Sequence, residues 1–209
     1  MVYRTTDRTL ERKARRRRTF LDEAIRMFGN DGFHAVTVPM IVQQAKTSTG
    51  TFYLYFQDKE DLFAAALEDI GEQISAALNQ AFAEAEPGIF PQMKAAIEGL
   101  VGYLVSHPHE ARLLIVESSG LGKRLDDVRR AIIESHTRGV SKALQALQDR
   151  IPTGMNVDVA ANCWVGAVYE AVFAWLQKRA QHRPAADSLA RAIASFNLRA
   201  VGAPKKYWT

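Results

Sequence analysis

The chain has 209 residues, 47% of them hydrophobic and 24% charged, with a formal net charge of +4. That is long and apolar enough for one large domain, or a small one joined to a larger one, around a buried core. The single cysteine, Cys163, excludes an intramolecular disulfide, and with no charged-then-apolar leader the expectation is a cytoplasmic protein. Apolar runs such as Ala111 to Val116 stop at Arg or Glu, so no membrane partner is expected.

The charge is unevenly placed. Residues 1 to 20 carry eight Arg or Lys (Arg4, Arg8, Arg12, Lys13, Arg15, Arg16, Arg17 and Arg18) against Asp7 and Glu11, a net of +6 that leaves −2 for the remainder. A basic end on a slightly acidic body suits a polyanion bound at that end, with counterion release driving the association. A solvated helix start or a basic tail would carry the same charges.

In chain order, Phe20, Leu21, Ala24, Ile25 and Phe28 form one apolar stripe, so a first helix is expected from near Thr9 to Gly29–Gly32. Asn30, Asp31 and Gly32 tolerate the left-handed backbone of a stop. Thr37 stands as an N-cap with Pro39 in the first turn of the next helix. Val38, Ile41, Val42 and Ala45 then give way to a polar break at Lys46 to Ser48, and Phe52, Phe56 and Leu62 resume the helical spacing. Two short helices joined by a three-residue turn form a helix-turn-helix. Ser48 caps the second, expected to run through Tyr55. With Phe52 and Phe56 buried, Thr49, Gly50, Thr51, Tyr53 and Tyr55 face outwards, where small hydroxyls, a glycine and phenols allow close approach to phosphates and base edges. Asp58 with Asp61 reads as the structural cap of a helix starting at Lys59, whose N–H groups and ammonium suit a phosphate.

The run Ala45-Lys-Thr-Ser-Thr-Gly-Thr-Phe-Tyr-Leu-Tyr-Phe56 followed by Lys59-Glu-Asp-Leu62, after a helix ending Phe28-Gly-Asn-Asp-Gly-Phe33, resembles the DNA-binding domain of the tetracycline-repressor (TetR) family. The resemblance covers roughly residues 15 to 65. It implies an all-α homodimeric regulator that binds a palindromic double-stranded DNA operator and is released by a small hydrophobic effector. It also implies that Thr37 meets a phosphate, with Gln43 and Gln44 near the groove. One departure is Lys46, where the family usually has glycine in the turn; a non-glycine residue in a left-handed turn costs on the order of 1 kcal/mol. The expected DNA contacts are Arg15, Arg16, Arg17, Arg18, Thr37, Ser48, Thr49, Gly50, Thr51, Tyr53, Tyr55 and Lys59. The division expected is a basic extension at 1–18, the helix-turn-helix domain at 19–62 and a helical effector-binding and dimerisation domain at 63–209.

From Lys59 to about Glu86 the stripe Leu62, Ala66, Ile70, Ile74, Leu78 and Phe82 marks a long helix that enters the body without a linker, a lever between body and head. Breaks at Glu86-Pro87-Gly88, His107-Pro108, Ser118-Ser119-Gly120, Ile151-Pro152-Thr153-Gly154 and Arg183-Pro184 divide the body into helices at 89–106, 108–118, 121–150, 156–182 and 184–202. In the family the last two helices form a four-helix dimer interface, which assigns Trp164, Val168, Ala171, Val172, Trp175, Leu189, Ile193 and Phe196 to it; an intramolecular core would show the same pattern. The resemblance places an effector pocket at Phe63, Leu67, Met93, Ile97, Tyr103, Leu113, Glu117, Asn162, Tyr169 and Phe173, an apolar set with a few polar groups. For Glu117 an Arg partner, Arg112 or Arg124, is the simpler account. His34, His107, His109, His136 and His182 are scattered, and no metal, cofactor or catalytic constellation is expected. A competing reading is a helical carrier or sensor of small molecules whose basic end touches anionic surfaces; it needs an amphipathic basic helix, and residues 8 to 18 carry only Leu10 and Ala14 as apolar.

Overall fold

The computed structural model describes residues 7–147 and 150–208, and every regular element among them is helical. Arg4 and positions 148 and 149, part of the basic segment and of the expected 121–150 helix, lie outside the described residues.

The chain folds as α1 (Asp7–Asp31), α2 (Val38–Gln44), α3 (Thr49–Phe52), α4 (Lys59–Glu84), α5 (Ile89–Ser106), α6 (Pro108–Arg112), α7 (Lys123–Gln145), α8 (Val157–Gln177) and α9 (Ala186–Ala200). The expected 108–118 helix is corrected: α6 is a single turn that widens into a π-helical turn at Leu113–Glu117. The helix expected at 156–182 ends at Gln177, where Lys178 turns extended, and His182 belongs to a separate 3-10 turn.

The head is a small aromatic core. Phe20 of α1 meets Phe52 and Phe56 edge-on at 5.6 and 6.0 Å between ring centres, while Phe63 of α4 meets Phe28 and Phe33 at 5.1 Å each. These T-shaped pairs fix orientation as well as burying area. Gly32 ends α1 at φ +83, its N–H donating to the Phe28 carbonyl at 3.0 Å, the left-handed stop expected there.

α4 is shared between head and body. Its 26 residues make a rod about 39 Å long. Leu62, Ala66, Ile70 and Ile74 are fully buried, whereas Phe82 at the far end is 47% exposed. In the body α4 packs on α5 and α7, α5 on α9 and α8, and α8 on α7 and α9.

α8 is long and apolar enough to cross a membrane by length and composition. Its inward face, Ala161, Trp164, Val165, Val168, Val172 and Trp175, is buried in the body instead, as in the core helix of a packed domain. The Trp175 indole donates to the Pro184 carbonyl at 3.0 Å and Asn197, buried in α9, donates to the Trp164 carbonyl at 3.3 Å, tying α9 and its approach to α8. This packing corrects the dimer assignment: Trp164, Val168, Val172, Trp175 and Ile193 are the protomer's own core and leave little surface for a second chain. Ala171 and Leu189 are half-buried, and Phe196 alone of that set is strongly exposed, at 63%.

Candidate nucleic-acid interface and body cavities

α2 starts after Thr37, whose backbone is extended as an N-cap requires, yet its hydroxyl makes no capping hydrogen bond. That corrects the capping role and leaves an exposed hydroxyl beside the helix start. The turn that follows closes on backbone bonds from Ala45, Lys46 and Thr47 to the carbonyls of Ile41, Gln43 and Val42 at 2.9, 3.2 and 2.9 Å. Lys46 sits at φ 48, the sole non-glycine residue with positive φ among the described residues. The turn thus keeps its left-handed geometry despite lacking glycine, and places an exposed ammonium between α2 and α3.

Ser48 caps α3 as expected: its Oγ accepts from the Thr51 N–H at 3.2 Å and lies 2.9 Å from the Thr51 hydroxyl. The α-helical part is shorter than the sequence suggests, ending at Phe52; Leu54 and Tyr55 then bond back three residues to Thr51 and Phe52 at 3.2 and 2.9 Å. Phe52 is fully buried and acts as the pin. Ser48, Thr49 and Gly50 are exposed, Thr51 is half-buried, and Tyr53 and Leu54 are 57% and 80% exposed. Tyr55 is corrected: its ring lies 5.8 Å from Phe20 and is half-buried, so it supports α3 more than it projects from it. Leu54, to which the sequence pattern assigns no role, is turned outwards beside Tyr53 at the tightened helix end. An exposed apolar side chain there is suited to a thymine methyl.

The four arginines before the head divide. Arg18 is committed to carboxylates, 2.7 Å from Asp22 and bidentate to Asp69 of α4 at 2.7 and 2.9 Å. These bonds use Nε and one terminal nitrogen, so Arg18 braces α1 against α4 while its side chain stays 48% exposed. Arg16 is half-buried and reaches the Ala45 carbonyl at 3.5 Å, beside the turn. Arg17 lies over the Phe56 ring at 5.6 Å and Arg15 stands 3.8 Å from Glu11; both are largely exposed, as are Arg8, Arg12 and Lys13.

Lys59 is also redirected. Its ammonium donates to the Phe33 and Val36 carbonyls at 2.8 and 3.0 Å and lies 4.1 Å from the centre of the Phe33 ring. Two of its three donors are therefore used to close the α1–α2 connection. Asp58 and Asp61 are structural, as read: Asp58 accepts from the Asp61 N–H at 2.6 Å, and Asp61 from the Gln57 N–H at 3.0 Å.

Among the contacts between head and body are three that no sequence pattern announces, since the partners lie far apart in the chain. Arg112 donates to the Gly29 carbonyl at 2.9 Å and pairs with Glu117 at 3.4 Å. Arg124 of α7 pairs with Asp61 at 2.6 Å. Gly29 packs so closely on α6 that a Cβ there would fall 2.8 Å from the His109 Cα.

The expected effector pocket does not assemble as one site. Phe63, Leu67 and Leu113 are fully buried core. Tyr103 donates to Gln73 at 3.3 Å and stacks on His107; burial, then the charges of Glu110 and Asp69, push its phenol up and keep it protonated. Glu117 is satisfied by Arg112, as anticipated. The other members divide between two cavities. Asn162, Tyr169 and Phe173 line one of about 400 Å³ between α7, α8 and the π-helical turn, with Arg129 and Glu170 beside them. Met93 and Ile97 line another of about 290 Å³ between α4, α5, α7 and α8, shared with Phe82, Trp164 and His136. His136, unassigned by the sequence, stands between the two cavities, its Nδ1 lying 3.0 Å from the Tyr169 hydroxyl. No group of three or more metal-ligating side chains occurs among the described residues.

Residues 20–66 match the model of the bacterial regulatory proteins, tetR family. Over 85 residues the chain is 32% identical to the HTH-type transcriptional regulator BetI of Escherichia coli O17:K52:H18 (strain UMN026 / ExPEC), covering 40% of this chain and 44% of BetI. Over 55 residues it is 34% identical to the HTH-type transcriptional regulator HbdR of Aromatoleum sp. (strain CIB), covering 26% and 24%. The chain therefore spans less than half the length of these curated relatives. Among solved structures, the fatty acid degradation regulator FadR from Bacillus halodurans superposes with a TM-score of 0.78 at 17% identity, covering 88% of this chain and 94% of that one. FadR from Bacillus subtilis in complex with stearoyl-CoA superposes with a TM-score of 0.76 at 20% identity, covering 88% and 98%. At such identities the likeness is one of fold.

Proposed function

Because residues 20–66 match the model of the bacterial regulatory proteins, tetR family, we propose that the chain is a member of that family and a sequence-specific DNA-binding transcription regulator. It acts as a repressor that binds a palindromic operator as a homodimer and is released by a small hydrophobic effector held in the body, in the bacterial cytoplasm. The observation that carries this reading is the outward face of α3: Thr49, Gly50, Tyr53 and Leu54 project from a helix pinned by the fully buried Phe52. Thr37 at the start of α2, Lys46 in the turn before α3, and Arg15 and Arg17 on α1 are exposed as well. The first group approaches base edges and the second the phosphates on either side.

A recognition helix this short reads few base pairs, so useful specificity needs two heads at a fixed spacing. The outer face of α8 supports a second copy: Val159 is 58% exposed, Cys163 and Gly166 are exposed, and Phe196 of α9 adds to this apolar surface. A helix apolar on both sides is explained when one side is core and the other an interface. The carrier reading lacks support of this kind, since Leu10 is the sole large apolar residue exposed on the basic part of α1 among the described residues.

Selection of genomic DNA fragments on the purified protein at near-physiological salt, with sequencing of what is retained, tests the reading. Enrichment of one palindromic motif is the expected result. Retention without a motif, fading as salt rises, refutes sequence-specific recognition and leaves only a basic end that holds polyanions.

A further inference from the structure

The cavity of about 290 Å³ between α4, α5, α7 and α8 has no Asp, Glu, Lys or Arg in its lining, and its wall is built largely from side chains such as Met93, Leu100 and Trp164. Its one ionisable group is His136. Nε2 of that ring is buried without a hydrogen-bond partner, the only such side-chain nitrogen or oxygen among the described residues. The other nitrogen is engaged by the Tyr169 hydroxyl at 3.0 Å. An unmet buried polar atom carries a desolvation cost, which an occupant that brings it a matching polar atom removes.

The Tyr169 contact determines what His136 offers. When the hydroxyl donates to Nδ1, Nε2 carries the proton and donates; when Nδ1–H donates to the hydroxyl oxygen, Nε2 accepts. One ring can therefore meet a carbonyl or an alcohol by exchanging tautomers. Burial pushes the imidazole down to about 4 from its ordinary 6.5 and raises the Tyr169 phenol, so both are uncharged at neutral pH. A carboxylate at this point finds no countercharge. Beyond His136, Ser75 and Asn79 the cavity leads into an open groove of about 620 Å³ whose only charged residues are Glu68 and Glu72, which disfavours an anion further.

We propose that this cavity binds an uncharged, mostly apolar small molecule bearing one hydroxyl or carbonyl oxygen, and that His136 Nε2 is the group that holds that oxygen. The inference rests on reading the body as the regulatory domain and goes beyond it by fixing the ligand class and naming the residue that selects it. Free acids and acyl thioesters of coenzyme A are disfavoured by the same lining, which offers their charge no cation.

Binding to the full-length protein, followed by calorimetry and by the fluorescence of Trp164 in the cavity wall, tests this with octan-1-ol, sodium octanoate and octanoyl-CoA at pH 7.5. Octan-1-ol binds saturably, and the two anions bind at least about tenfold more weakly, for want of a partner to their charge. His136→Leu lowers octan-1-ol affinity about tenfold, the loss of one hydrogen bond, and His136→Gln, which can still donate or accept, restores most of it. Equal or tighter binding of octanoate or octanoyl-CoA, no saturable binding of octan-1-ol, or wild-type affinity in His136→Leu overturns the proposal. No DNA is present in these titrations, so their failure leaves recognition by the head standing, and loss of an operator motif leaves their result unchanged.

Discussion

The head and the body of this molecule solve opposite problems with the same kind of element. The head surrounds a few phenylalanines with short helices and leaves its working side chains in solvent, so its outward face is what the pins do not bury. The body buries long stripes on every helix, and its working surface is the gap left between them. A face is fixed by local periodicity, whereas a gap is fixed by which helices pair and at what distance. The two regions therefore differ in how mutation reaches them.

The largest expected effect is loss of the pin. Phe52→Ala removes a fully buried ring that contacts Phe20 and Phe56, at about 3–5 kcal/mol. DNA binding is lost in an electrophoretic shift assay while octan-1-ol still binds the body; loss of both together breaks the separation of the regions. Lys59→Met comes next, removing two charge-assisted bonds from a half-buried ammonium to carbonyls, together worth about 1.5–3 kcal/mol. Thermal melting reads the loss. If the salt dependence of DNA binding keeps its slope in this variant, Lys59 is a brace; a slope reduced by about one shows that its remaining donor also reaches a phosphate.

Gly29→Ala sharpens the boundary itself. Its methyl would fall 2.8 Å from the His109 backbone, and the forced separation of α1 from α6 costs about 1–3 kcal/mol. Ligand affinity of the body is retained, and the ligand's effect on DNA affinity shrinks; unchanged coupling would show that signalling bypasses this contact. The smallest effect is at Lys46. Lys46→Gly relieves the φ 48 backbone and stabilises the head by about 1 kcal/mol. The same change lowers the salt slope of DNA binding by about one where the ammonium meets a phosphate.

The caps and the pin of the head were legible because Ser48, Asp58, Gly32 and the Phe52/Phe56 spacing act within a few residues of themselves. The failures share one cause. Arg18 and Lys59 look like free cations in the chain, but Asp69 and the Phe33 and Val36 carbonyls meet them only after folding. Trp164, Val168 and Trp175 look like an interface because a core stripe and a dimer stripe have the same period. His136 carries no local pattern; its importance lies in a buried nitrogen that the neighbouring helices leave unmet.

The most direct measurement of the central claim is a hydroxyl-radical footprint of the protein on its selected duplex. Two protected windows about 10 base pairs apart on one face of the DNA are predicted, one for each recognition helix of a dimer. Diffuse protection that spreads with protein concentration and disappears with added salt would contradict sequence-specific binding by a paired head.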